Sequence, residues 1–123
     1  MRIPLLICDD SNMARKQVAR SLPTDWNVDI TFASNGVEGL QAIRAGKADV
    51  TFLDLTMPEM DGYDVLEHIY EEGLNTMVVV ISADIQPEAR ARVKSLGAIE
   101  FIKKPIDKEK LIEVLNIYGL HHC

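Results

Sequence analysis

The chain has 123 residues, 47% of them hydrophobic, 26% charged and 6% aromatic, which suits one soluble domain with a core large enough to need no staples. Its net charge of −6 argues against non-specific binding to nucleic acid or anionic membranes. No stretch approaches the roughly 20 apolar residues of a membrane span. The apolar opening is too short for a signal-peptide core, and the two cysteines, Cys8 and Cys123, make no disulfide framework. A cytoplasmic chain is expected.

Ile3–Cys8 is apolar throughout, as a strand buried on both faces requires. Asp9-Asp10-Ser11 follows, and Ser11 or Asn12 can cap a helix over residues 13–22, where Ala14, Val18 and Leu22 recur every four residues. Pro23 stops it. Residues 26–33 alternate as an edge strand, with Trp26, Val28, Ile30 and Phe32 on one side. Asn35-Gly36 signals a turn, and residues 37–45 a helix that Gly46 closes. Val50–Leu53 is a buried strand ending in Asp54; the chain then turns at Met57-Pro58 towards Gly62. Gly62–Glu72 reads as a third helix, stopped by Gly73.

Residues 77–81 form a fourth apolar strand, ending at Ser82-Ala83-Asp84. Pro87 suits the first turn of a helix running to Leu96, with Gly97 as its stop. A short fifth strand spans 99–102, Lys103-Lys104-Pro105 is a loop, and the last helix spans 107–118 with Leu111, Ile112, Val114 and Leu115 inward. Cys8 and Met77 belong to the core, and His121-His122-Cys123 reads as a frayed tail rather than a metal site. Strand and helix alternate five times, which calls for an α/β fold, a parallel sheet with helices on both faces.

In such a sheet every strand-to-helix loop opens on one rim, where ligands bind. Asp9, Asp10, Asp54 and Thr56, Ser82 and Ala83, and Lys104 and Pro105 all fall there. Carboxylates about 4 Å apart repel by on the order of 4 kcal/mol at an effective dielectric near 20. A hard divalent cation relieves this, and Mg²⁺ characteristically takes one or two carboxylates plus waters and a phosphate. With no His or Cys in these loops, zinc is disfavoured. Lys104 offers a mobile point charge for a phosphoryl oxygen, Ser82 a donor, and an ionised Asp a nucleophile towards phosphorus. Alone, Ser82 reads as an N-cap, Phe101 as packing and Lys104 as a surface lysine.

Taken together, Leu6-Ile7-Cys8-Asp9-Asp10-Ser11, Leu53-Asp54-Leu55-Thr56-Met57-Pro58 with Asp61-Gly62, Ile81-Ser82-Ala83 and Lys103-Lys104-Pro105 resemble the receiver domain of two-component response regulators, most closely its single-domain chemotaxis form. The resemblance covers essentially the whole chain. It implies a flavodoxin-like receiver fold, five parallel strands in the order 2-1-3-4-5 doubly wound with five helices, and a phosphorylatable signalling switch in a phosphorelay. It further implies that Asp54 accepts a phosphoryl group from a histidine kinase or phosphotransfer domain. Asp9, Asp10, Asp54 and the backbone carbonyl of Thr56 would hold Mg²⁺, with Mn²⁺ as a substitute. Ser82 and Lys104 would contact the phosphoryl group, and Lys104-Pro105 would be cis.

Phe101 takes the family's aromatic switch position beside Ser82 and Pro105; lacking a hydroxyl, it must act through packing. Thr56 and Asp84 take the positions that tune acyl-phosphate lifetime. The implied partners are the kinase, a downstream protein on the face of helix four, strand five and helix five, and a phosphatase. Met13, Arg15, Lys16 and Arg20 are either a docking face or simply solvated. Contact with nucleic acid and membrane insertion are not expected, nor is enzymatic activity beyond self-phosphorylation from a donor and self-dephosphorylation. Residues 1–123 read as one receiver domain without an output domain. The alternatives are a receiver module of a longer regulator and a Mg²⁺-dependent phosphohydrolase. The second needs an Asp where Thr56 stands. A flavin binder would need a Ser/Thr/Gly-rich loop where Asp9 and Asp10 stand.

Overall fold

The computed structural model describes residues 2–84 and 86–121, so His122 and Cys123 of the tail lie outside the described residues. In chain order the elements are β1 Ile3–Cys8, α1 Asn12–Ser21, β2 Val28–Ala33, α2 Gly36–Arg44 and β3 Val50–Leu53, then α3 Gly62–Glu72, β4 Met77–Ser82, α4 Pro87–Ser95, β5 Glu100–Lys103 and α5 Lys108–Ile117. The five strands form one parallel sheet in the order β2-β1-β3-β4-β5, as the resemblance implies.

Successive residues of a strand face opposite sides, so the sheet divides the core in two. Leu6, Cys8, Leu53, Val78 and Val80 face α2, α3 and α4, where they meet Ile43, Val65, Leu66 and Val93. Leu5, Ile7, Val50, Phe52, Val79 and Ile81 face α1 and α5, where they meet Val18, Leu111, Val114 and Leu115. Thr51, fully buried in β3, shares a hydrogen bond with the Thr76 hydroxyl at 2.7 Å, which removes the cost of an unpaired buried hydroxyl.

Side chains start four of the helices by accepting a hydrogen bond from an otherwise orphaned backbone N–H. Ser11, rather than Asn12, caps α1 through Ala14 N at 3.2 Å. Asn35, read from sequence as a turn former, caps α2 through Glu38 N at 2.9 Å. Glu38 in turn accepts from Ser34 N and Oγ at 2.9 and 2.8 Å. Asp61 and Asp107 cap α3 and α5. Gly73 closes α3 at φ 63°, ψ 36°, a left-handed conformation that glycine adopts without cost.

Several expectations are corrected. β2 begins at Val28, because Trp26 N donates to Pro23 O in a turn. Phe32 is 52% exposed, since it lies near the end of an edge strand with a neighbour on one side only. Met77 and Ile112 are half-buried rather than core. β5 includes Lys103, paired with Ser82. His121 is no part of a frayed tail: it is 8% exposed, and its Nε2 lies 2.9 Å from Asp25 Oδ1. Its ring meets Trp26 edge-on with centroids 6.1 Å apart. Gly119 at φ 69°, with Leu120 N donating to Leu115 O, turns the chain to reach that place. Among the described residues no helix is long and apolar enough to cross a membrane.

Gly62 ties the fold to the rim. A Cβ there would strike the Asp54 carbonyl oxygen and lie 2.8 Å from Leu55 Cα, and backbone cannot yield as a side-chain tip can. Gly62→Ala is therefore expected to lose about 1–3 kcal/mol in urea unfolding, the usual cost of overpacking. A loss below about 0.5 kcal/mol, as at ordinary surface sites, would show that this loop is not tightly seated.

Candidate functional site

Three backbone hydrogen bonds assemble the rim. Asp9 N donates to Ala33 O at 3.0 Å, Asp54 N to Cys8 O at 2.9 Å, and Lys104 N to Ser82 O at 2.9 Å. Each extends a strand pairing by a residue, so the side chains that follow are placed by the sheet itself. The carboxylates of Asp9, Asp10 and Asp54 each bring an oxygen within 4.8 Å of the others. Asp9 and Asp54 are 4% and 6% exposed, and Asp10 is exposed.

Lys104 reaches into this cluster from β5. Its Nζ donates to Asp9 Oδ2 at 2.8 Å and lies 3.3 Å from Asp54 Oδ1. The other Asp9 oxygen accepts from Ser11 N at 2.9 Å. Arg15, half-buried in the first turns of α1, donates through Nη1 to the Asp9 carbonyl at 2.6 Å. From sequence Arg15 reads as part of either a docking face or a solvated one; the structure instead turns it inward to brace the acidic loop. The only signal available was its place one helical turn after the Ser11 cap.

Burial first, and then the Asp9 charge, push the Asp54 carboxyl up to about 6, against the pull of Lys104. For Lys104 burial alone would lower the pKa, but the hydrogen bond to Asp9 and the charges of Asp54 and Asp9 outweigh it and hold the ammonium above its usual range. These directions agree: the lysine gains from two carboxylates, while Asp54 gains from one lysine and is repelled by one carboxylate. The Cys8 thiol, by contrast, is pushed up to about 12, chiefly by burial. It sits 3.6 Å from Met57 Sδ and is core, as expected.

Ser82 is buried at the end of β4, and its Oγ accepts from Asp84 N at 3.1 Å. It does not cap α4, whose N-cap is Gln86. Asp84 in turn accepts from Gln86 N at 3.0 Å. Thr56 is exposed in the loop after Asp54, a loop in which Glu59 takes φ 68°. Pro105 follows a cis bond from Lys104. Phe101 stands apart from the rim: it is buried in the core face that packs α2, α3 and α4, with the Arg90 guanidinium carbon 4.6 Å from its ring centroid. Asp9, Asp10, Asp54 and Lys104 are thus brought together. Oxygen donors alone, without His or Cys, fit a hard divalent cation.

Residues 5–116 match the response regulator receiver domain. The chain belongs to that family. It is 36% identical over 111 residues to the chemotaxis protein CheY of Treponema pallidum, covering 89% of this chain and 77% of that protein. It is 38% identical over 112 residues to protein-glutamate methylesterase/protein-glutamine glutaminase 2 of Koribacter versatilis, covering 89% of this chain but only 31% of that protein's length. Among solved structures it resembles the CheX–CheY–BeF₃–Mg²⁺ complex of Borrelia burgdorferi, with TM-score 0.84 and 31% identity over 94% of this chain and 89% of that one. The chain is accordingly a CheY-like receiver domain of two-component signalling, a family of switches rather than of conventional enzymes.

A carboxyl that titrates near 6 when folded and near 3.9 when unfolded holds its proton more tightly in the folded state. Its contribution to stability is complete below about pH 3.9 and is lost as the pH rises through about 6. A shift of about two units corresponds to about 3 kcal/mol. In metal-free buffer, Asp54→Asn is expected to lack this part of the decline between pH 4 and pH 7 and to melt higher than the parent at pH 7. Parallel stability profiles for the two proteins would show that Asp54 carries no such strain.

Proposed function

We propose that this domain is a phosphorylatable switch in which Asp54 accepts a phosphoryl group from the phosphohistidine of a sensor kinase or phosphotransfer domain. The observation that carries this reading is a nearly buried carboxylate set beside two others, with an ammonium 3.3 Å away. With its carboxyl pushed up to about 6, Asp54 is still mostly ionised at neutral pH, yet more basic than an ordinary aspartate. Both properties favour attack on phosphorus. An Oδ–P bond forms as the P–N bond breaks; the electron pair returns to the imidazole, which takes up a proton. Asp9, Asp10, Asp54 and the Thr56 carbonyl would hold Mg²⁺, which when bound neutralises charge on the phosphoryl oxygens and aligns them.

Two hydrogen bonds of the resting site then have reason to change. Lys104 can leave Asp9 Oδ2 for a phosphoryl oxygen and so free Asp9. Ser82 Oγ now accepts from Asp84 N and can turn its own proton to the phosphoryl group, drawing on the loop that leads to α4. Loading of Asp54 would thereby bias an existing conformational equilibrium, with Phe101 following by packing. Partner affinity would change on the face of α4, β5 and α5, where a downstream protein docks; a phosphatase would reset the site. Relatives of which this chain spans only 31% support the same module serving in longer regulators.

Incubation with acetyl phosphate and Mg²⁺ should give a phosphoryl adduct that peptide mapping places on Asp54 and that Asp54→Asn abolishes. No adduct, and no binding of a beryllofluoride mimic, would reject phosphotransfer. Lys104→Ala should bind Mg²⁺ at least as tightly as the parent in titration calorimetry, because Asp9 loses a competing cation, while the conformational response to beryllofluoride is lost. Much weaker Mg²⁺ binding would mean that the lysine supports the metal site instead.

A further inference from the structure

Helix α4 follows the loop that begins at Ser82, and little core packing holds it. Of Pro87–Ser95 only Ala89 and Val93 are buried, and the N-cap residue Gln86 makes no capping hydrogen bond through its side chain, whereas Ser11, Asn35, Asp61 and Asp107 each cap their helices. Two arginines stand in for the missing anchors. Arg90 Cζ lies 4.6 Å from the centroid of the Phe101 ring on β5. Arg92 Cζ lies 4.0 Å from the Tyr63 ring on α3, with Nη2 3.8 Å from Glu67 Oε1. Residues two apart on a helix point about 200° apart, so the two contacts leave α4 on opposite flanks and span its width.

The surroundings make these contacts matter. On the β5 side Arg90, Val93, Lys94, Ala98, Phe101 and Tyr118 line an open cavity of about 360 Å³, so the guanidinium sits at the edge of a space rather than in a filled core. On the α3 side burial first, and then the Asp84 charge, push the Tyr63 phenol up. The Arg92 charge pulls the other way, as a guanidinium seated over the ring does. Cation–π contacts are attractive but individually weak, which suits an attachment that must release.

We propose that Arg90 and Arg92 are positioning residues for α4, two clasps closed on Phe101 and Tyr63 that hold the helix in its resting place and set how readily it rearranges. That loading of Asp54 is what opens them rests on the switch reading above; the clasps themselves do not.

Hydrogen exchange tests the clasps on the unphosphorylated protein. Alanine is at least as good a helix former as arginine, so Arg90→Ala with Arg92→Ala does not weaken α4 through propensity. The pair is expected to speed amide exchange in residues 88–96 at least threefold, with β1 and β3 unchanged, and the lysine pair at the same positions is expected to speed it less. An acceleration below threefold, one that spreads to β1 and β3, or one equally large with lysine would overturn the proposal. Acetyl phosphate labelling of Asp54 in the parent, run alongside, separates the two ideas. An absent adduct there rejects the switch reading, and the exchange result still decides the clasps.

Discussion

The structure turns on one ammonium held between two nearly buried carboxylates. Asp9 and Asp54 are 4% and 6% exposed, and ions so placed are tolerated only when paired. Lys104 supplies the pairing from 95 residues away, so the ion pair also joins the first strand-end loop to the last. One lysine cannot satisfy three carboxylates, however, and burial first, then the Asp9 charge, keep Asp54's pKa raised. The rim thus carries a strain of its own, and functional sites often carry such a cost in stability. A divalent cation among Asp9, Asp10 and Asp54 would relieve their mutual repulsion.

The limits of sequence reading follow from the same geometry. The bounds of β1, β3 and α3 are legible to the residue. Both strands are buried on two faces and stop where a carboxylate must leave the core, and Asp61 and Gly73 mark the ends of α3. The edge strands are less legible. β2 and β5 each have one neighbour, and their patterns drift by one or two residues at the ends. The rim chemistry is legible because a parallel sheet gathers every strand-end loop onto one edge, which makes Asp9, Asp10, Asp54 and Lys104 neighbours whatever their separation in the chain.

What stays hidden are contacts whose partners lie far apart and off that edge. His121 and Asp25 are 96 residues apart, and no local pattern predicts that a terminal histidine will dock beside Trp26. Arg15 could face solvent or the acidic loop with equal regard for helix periodicity; the free carbonyl of Asp9 decides. Asn35 reads as a turn former and serves as an N-cap, because the two roles use the same residue types and are told apart only by whether a helix follows.

The contrast between α3 and α4 bears on how a change at the rim could travel. Helix α3 is capped by Asp61, closed by Gly73, and seated at Gly62 against the backbone of Asp54 and Leu55. It is built to stay in place. Helix α4 has no side-chain cap and leads directly from the loop in which Ser82 holds Asp84 N. Under the proposed switch, a shift of Ser82 would be passed to an element with no side-chain cap, while α3 gives that element something fixed to move against. Local stability differs across a fold in this way wherever one segment must rearrange and another must not. With phenylalanine at position 101 no hydroxyl is available to latch the aromatic ring, and the attraction between the Arg90 guanidinium and the ring face adds a weak, reversible hold to the packing of Val93 and Phe101 in one core face.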